Sequence, residues 1–252
     1  MQDFGGRVVA ITGAASGIGR ALAVDLARRG AHLAISDIDD DGLAETVTLC
    51  HGSGTKVSSA HVDVADRDAV FSWADDVVAE HDRVNMIVNN AGVAVGATVE
   101  RSSFDDIEWL MNINFWGVVN GTKAFLPHLK ASGDGHVVNI SSVFGLVSIP
   151  TQSAYNAAKF AVRGFSDALR IELEIERADV SVTTIHPGGI KTNIARNARV
   201  DTGAAGSGRD PHTLADEFDK LARTTPEKAA RQILKAVQRN RRRALIGPDA
   251  KL

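Results

Sequence analysis

The 252-residue chain has one cysteine, Cys50, and one tyrosine, Tyr155. A single cysteine cannot form an internal disulfide and suits a reducing compartment. No Cys/His group has the spacing of a zinc site, so no metal is expected. A formal net charge of only −3 offers no field for nucleic acid or an acidic membrane. The densest basic run, residues 239–243, follows an expected helix, where cations suit the negative end of the dipole. The long uncharged stretches 84–99 and 135–158 are interrupted by Asn and Gly, and the second also by Ser, Gln and Pro. Neither reads as a membrane span. The opening MQDFGGRVVAITG lacks a basic segment followed by an apolar one, so no signal peptide is expected. Together these features predict a soluble, cytoplasmic protein with no nucleic-acid or membrane partner.

What the chain does have is alternation. Short apolar runs at 7–12, 31–36, 56–64, 84–89, 136–141, 180–185 and 243–246 read as strands. Several are largely apolar rather than alternating, as in parallel strands covered on both faces. Amphipathic stretches lie between them. Ile18, Leu22 and Leu26 recur at helical spacing and stop at Gly30, a helix-ending position. Helices are also expected over 66–80, 103–129, 153–177 and 225–240, the last opening Thr225-Pro226-Glu227 with a cap, a proline and an acid. This order predicts an α/β fold, a doubly wound parallel sheet of about seven strands with helices on both faces, in a single domain over 1–252. The small, glycine-rich segment 194–211 is too long for an ordinary connection and is expected to be a substrate lid.

Gly13, Gly17 and Gly19 fall between the first strand and the first helix. Without side chains the backbone can turn tightly and approach a pyrophosphate at the helix N-terminus. The second strand runs into Asp37, whose carboxylate can accept from both ribose hydroxyls and would repel a 2′-phosphate. None of Ala14, Ala15 and Ser36 supplies a compensating cation. The expected cofactor is NAD rather than NADP.

Tyr155 and Lys159 are spaced i, i+4 and project from one helix face. A free phenol titrates near ~10 and is a poor base at neutral pH. A neighbouring ammonium is expected to lower that value and make the tyrosine a workable acid–base. Ser142 closes the fifth strand and Tyr155 opens the next helix, so both are expected at the carboxyl edge of the sheet beside the glycine turn.

The motifs Thr12-to-Gly19, DV at 63–64, NNAG at 89–92, NINFWG at 112–117, NISS at 139–142, YNAAK at 155–159 and PGGIKT at 187–192 occur in one order. In that order the chain resembles the short-chain dehydrogenase/reductases, in their compact single-domain branch with a Rossmann-like sheet. The resemblance implies that Ser142 orients substrate, Tyr155 transfers the proton and Lys159 also binds the nicotinamide ribose. Asn114, unremarkable from spacing alone, would position a water in a relay to Lys159. Ser16, Gly17 and Ile18 would accompany Gly13 and Gly19 at the pyrophosphate, and Asp63 and Val64 would meet the adenine. Asn90, Ala91 and Gly92 would line the ribose and nicotinamide side, and Pro187, Gly188, Ile190 and Thr192 would wrap the nicotinamide. His136 and His186 read as structural.

The implied reaction is reversible, NAD-dependent oxidation of an alcohol to a carbonyl. Val93, Ala94, Val95, residues 143–147 and Ile149 are expected around the reacting carbon, which favours a hydrophobic secondary alcohol or ketone. Alternatives are an NAD-binding sensor or scaffold without turnover, and an NADP-dependent carbonyl reductase. A homo-oligomer, dimer or tetramer, is expected. The ending RRRALIGPDAKL resembles a subgroup whose chains often continue further.

Overall fold

Side-chain alternation along the central strands builds two cores at once. In β1 (Val8–Thr12) every residue is buried. Val9 and Ile11 point into one layer, and Val8 and Ala10 into the other. Such a strand must be apolar at successive positions, which is why its sequence does not alternate. The computed structural model describes residues 3–52, 54–200 and 222–251.

After β1 the chain forms α1 (Gly17–Arg28), β2 (His32–Asp37), α2 (Asp40–Cys50), β3 (Val57–His61), α3 (Arg67–His81) and β4 (Met86–Asn89). A two-residue strand β5 (Val95–Gly96) precedes α4 (Phe104–Met111), α5 (Gly117–Ala131), β6 (Gly135–Ile140), α6 (Ser153–Glu176) and β7 (Val180–Pro187). The short β8 (Arg199–Val200), α7 (Pro226–Gln238) and β9 (Arg243–Ile246) complete the described elements. The main sheet has seven strands in the order β3-β2-β1-β4-β6-β7-β9, and every neighbouring pair is parallel. β5 and β8 pair as a separate parallel ribbon.

One core packs Leu22 and Leu26 of α1 against Ile233, Leu234 and Val237 of α7. The other gathers Val70 and Trp73 of α3, Phe125 and Leu129 of α5, and Leu169 and Leu173 of α6. Trp73 meets Phe125 edge-on at 5.0 Å between ring centres, which docks α3 on α5. Gly30 ends α1 at φ 81. Its N–H donates to the Ala27 carbonyl at 2.9 Å and the next N–H, of Ala31, to Leu26 at 3.1 Å. That pair of bonds closes a helix at a left-handed residue. Thr225 caps α7 by accepting from the Lys228 N–H, as its sequence predicts.

Three elements differ from the sequence reading. α2 is a helix in a stretch whose apolar period is weak; Asp39 fixes its start by accepting from the Gly42 N–H. The third strand leaves the sheet after His61, so residues 62–64 form a loop. The expected helix 103–129 is α4 and α5 joined by a wide turn of π geometry, Asn112–Trp116. Such wide turns inside helices often mark functional sites, and this one carries Asn114 into the interior.

The chain steps outward from β1 to β2 and β3, then returns to place β4 on the other side of β1. The order reverses between β1 and β4, and a crevice opens there at the carboxyl ends of the strands.

Candidate active site

The glycine turn sits in that crevice. Gly13 and Gly17 have φ of 67° and 53°, a region that side chains disfavour. A Cβ at Gly13 would fall 2.7 Å from the Ala91 backbone, and one at Gly19 only 2.1 Å from the Gly13 carbonyl. Thr12 ties this turn to the segment after β4: its hydroxyl accepts from the N–H groups of Asn90 and Ala91 at 3.0 and 3.1 Å. The Asn90 amide donates back to the Thr12 and Gly13 carbonyls at 3.0 and 2.9 Å. Two loops from separate strands are thus one rigid wall.

Asp37 stands at the end of β2. One carboxylate oxygen accepts from the Ala15 N–H at 2.8 Å, and the other from the N–H groups of Ile38 and Asp39. Asp37 therefore also shapes the glycine turn. Arg20 is the nearest turn cation in sequence, but its guanidinium is spent on Glu45, Thr46 and the carbonyls of Ala15 and Gly42.

Ser142, Tyr155 and Lys159 meet on the opposite side. Ser142 ends the segment after β6, where its hydroxyl accepts from the Phe144 N–H at 3.1 Å. The turn 143–145 presses on α6: a Cβ at Gly145 would lie 2.4 Å from the Ser141 hydroxyl and 2.6 Å from the Lys159 carbonyl. That close approach brings Ser142 into hydrogen-bonding reach of Tyr155. One turn on, buried Lys159 donates to the Ile140 carbonyl at 3.0 Å, with its nitrogen 5.6 Å from the centre of the Tyr155 ring. His186 holds Ser142 from behind, its Nδ1 2.9 Å from the Ser142 carbonyl.

Burial dominates the titration of this group. It pushes the Tyr155 phenol up to about 12, with the Ser142 hydrogen bond pulling the other way. It pushes Lys159 down to about 8. The expectation that Lys159 lowers the Tyr155 value is not met in the free protein. Both groups lose solvent, and an ionised form that has left water is disfavoured in each.

Asn114, unremarkable from spacing, is fully buried. Its side chain exchanges two 2.8 Å hydrogen bonds with the backbone N–H and carbonyl of Val93. A Cβ at Gly92 would be 3.2 Å from Asn114 Oδ1 and 3.6 Å from Lys159 Nζ, so Asn114 fixes the wall beside the lysine.

These residues surround one cavity of about 1350 Å³. Of the residues singled out in the sequence, Ser16, Ile18, Asp63, Val64, Pro187, Gly188, Ile190 and Thr192 border it with those above. Gly19 and Asn114 support the wall from behind without lining it. Val93, Ala94, Val143, Phe144, Leu146, Val147 and Ile149 form an apolar end. Val95, expected there, instead packs with Leu110 and Ala154, because its place in β5 turns it inward. The sequence does not reveal that Ile194, Ala198 and Val200 extend this apolar end, or that Asp249 borders the cavity. Of the expected lid, 201–211 lie outside the described residues. Within 194–200, Arg199 pairs with Asp106 at 3.0 Å and stacks 3.7 Å from the centre of Trp109.

The cavity fits a dinucleotide. Its turn admits no Cβ at Gly13, a carboxylate stands at the ribose position of β2, and the Arg20 guanidinium is engaged away from it by Glu45, Thr46 and two carbonyls. Also among the described residues, no cluster of His, Cys, Asp and Glu could hold a metal ion, and no helix is long and apolar enough to cross a membrane.

Residues 7–203 match the family model described as short chain dehydrogenase. The chain is 54% identical over 252 residues to a Mycobacterium tuberculosis protein named as an oxidoreductase, SadH, covering all of this chain and 90% of that protein. A short chain dehydrogenase/reductase from Burkholderia phymatum, solved in complex with NAD, superposes with a TM-score of 0.89 at 30% identity, over 98% of this chain and 91% of that one. A short chain dehydrogenase from Mycobacterium paratuberculosis bound to NAD gives 0.82 at 29% identity, over 98% of each chain.

Proposed function

The chain belongs to the short-chain dehydrogenase/reductase family, and on that premise we propose that it oxidises an apolar secondary alcohol to a ketone with NAD. The carrying observation is that Ser142, Tyr155 and Lys159 share one cavity with the glycine turn and Asp37. NAD, when bound, supplies the hydride acceptor at C4 of its nicotinamide. Gly13, Ser16, Gly17, Ile18 and Gly19 would cradle its pyrophosphate, and Asp37 its adenosine ribose. Asp63 and Val64 would face the adenine, while Asn90, Ala91, Gly92, Pro187, Gly188, Ile190 and Thr192 would enclose the nicotinamide side.

The chain's own chemistry is proton handling. Ser142 donates to the substrate oxygen and holds it against Tyr155. Tyr155 takes the hydroxyl proton as the carbonyl forms and gives up its own phenol proton in the same step. Lys159, in its neutral form, is the acceptor toward which that proton moves on. Asn114 acts by holding Gly92 and Val93 in place beside Lys159. A water for the relay would use the Asn114 backbone, or the second N–H and second lone pair that Val93 leaves on its amide.

The apolar end of the cavity supports a hydrophobic alcohol or ketone over a free sugar or carboxylate, since a buried polar substituent there would lose water without a partner. Exposed Phe104, Trp116 and Ile175 support a homo-oligomer. The buried thiol of Cys50 supports a cytoplasmic setting. The test is incubation with NAD and a panel of secondary alcohols of increasing chain length, followed at the absorbance of reduced nicotinamide. Turnover that improves with apolar length is expected. NAD binding without turnover on any alcohol would instead mark a sensor.

A further inference from the structure

The segment after β7 contains two adjacent glycines, Gly188 and Gly189, and neither has a positive φ. Their missing side chains answer a packing demand. A Cβ at Gly188 would fall 2.2 Å from Asp249 Oδ2, and the three atoms nearest to it all belong to the Asp249 carboxylate. The Gly189 N–H donates to that same oxygen. The other oxygen, Oδ1, is buried with no hydrogen-bond partner among the described residues, as is the Thr224 hydroxyl. A Cβ at Gly247, at φ 97, would lie 2.8 Å from Asp249 Oδ1 and 3.0 Å from the Thr224 hydroxyl. The Ile246 carbonyl accepts from the Gly188 N–H at 2.9 Å, and the Thr224 carbonyl from the Lys191 N–H at 3.0 Å. Residues 188–191 are therefore held by Ile246, Asp249 and Thr224, and Gly188, Gly189 and Ile190 border the cavity together with Asp249.

We propose that Asp249 is a positioning residue of the cofactor site: by holding the Gly189 N–H and filling the space beside Gly188, it sets where Ile190 and Thr192 stand. This rests on the cofactor reading above. Carboxylate bonds to a backbone N–H are charge-assisted and short-range, so the position of this loop depends on a side chain far along the sequence. Gly188 is small because the carboxylate needs its place.

The test is a double-mutant cycle between Gly188→Ala and Asp249→Ala, read as Tm of the free protein and as Kd for NAD by calorimetry. Gly188→Ala alone should lower Tm and weaken NAD binding by about tenfold, within the range of couplings between residues in contact. In the Asp249→Ala background the same methyl meets open space and should cost little. Asp249→Ala alone should speed exchange of the Gly189 amide and raise the Kd by about tenfold. Asp249→Asn, which keeps an acceptor for that amide, should stay within about threefold of the parent. Additive effects, unchanged Gly189 exchange in Asp249→Ala, or an Asn variant as impaired as Ala would overturn the proposal. Should Asp249→Ala fail to fold, Asp249→Ser, also too short to reach Gly188, takes its place. If the parent protein does not bind NAD, the cofactor reading falls by itself. Tm coupling and Gly189 exchange, both read without ligand, still decide whether Asp249 sets the loop.

Discussion

Lys159 holds its nitrogen 5.6 Å from the centre of the Tyr155 ring while donating to the Ile140 carbonyl at 3.0 Å. Ammonium and amine can both make that bond, so the side chain keeps its place through its titration. With Tyr155 pushed up to about 12 and Lys159 down to about 8, the lysine is the member of the pair that changes state in the neutral-to-alkaline range. Below about 8 it is charged and cannot take a proton; above, it can. Alcohol oxidation should therefore rise with pH through a midpoint near 8 in kcat/KM, and Lys159→Met should remove that rise. A flat profile from pH 6 to 10 would exclude Lys159 from the relay.

Asp37 is expected to set cofactor preference. Its carboxylate repels a 2′-phosphate and also fastens the Ala15 N–H. The parent should prefer NAD over NADP by at least about tenfold, the cost of one poorly placed charge. Asp37→Ala should narrow that ratio and weaken NAD binding, because the glycine turn loses its anchor. The check is kcat/KM for both cofactors in both proteins, and a parent that prefers NADP refutes the assignment.

His136 makes stability depend on acid. Burial pushes it down to about 3 from an ordinary 6.5, beside a Thr183 hydroxyl 2.9 Å away. Below pH 6.5 the unfolded chain takes up a proton that the folded chain refuses until about 3. The stabilisation is therefore complete above 6.5 and is lost as pH falls through that window, with a slope of at most about 1.4 kcal/mol per pH unit. Urea unfolding at successive pH values should show that decline, and His136→Gln should flatten it. Equal slopes would mean that other groups carry the acid response.

The stretch 194–200 tests the lid reading within the described residues. Between Ala198 and Val200, which border the cavity, Arg199 has its N–H 3.1 Å from the Ala94 carbonyl and its guanidinium on Asp106 and Trp109. Exposed pairs of this kind are worth less than about 1 kcal/mol, so the strap should open readily. Amide exchange over 198–200 should be fast in the free protein and slow with NAD plus a substrate or inhibitor. Equal exchange in both states would remove the lid.

The sheet is readable in the sequence because strands buried on both faces must be largely apolar, and Val8–Ile11 of β1 shows that directly. The glycine turn and the Tyr155–Lys159 pair are equally legible, since each depends on spacing along one element. α2 is not, because Asp40–Cys50 carries a thin apolar stripe and its start is set by a cap. Asn114 is hidden for a different reason. Its inward direction comes from a π turn that local spacing cannot encode. Asp249 is the furthest from view: its partners, Gly188 and Gly189, lie about sixty residues upstream, and only the pairing of β9 with β7 brings them together.

The central claim, that Tyr155 carries the proton, is tested most directly by Tyr155→Phe. The substitution removes one oxygen and keeps the ring that packs edge-on to Phe144 at 6.3 Å, so Tm should hardly move. General acid–base catalysis contributes about 10²–10⁴-fold. With an alcohol identified by the panel, kcat should fall by at least the lower end of that range while the Kd for NAD stays within about twofold. Near-parental kcat in Tyr155→Phe would contradict the account and leave Tyr155 a packed aromatic beside Phe144.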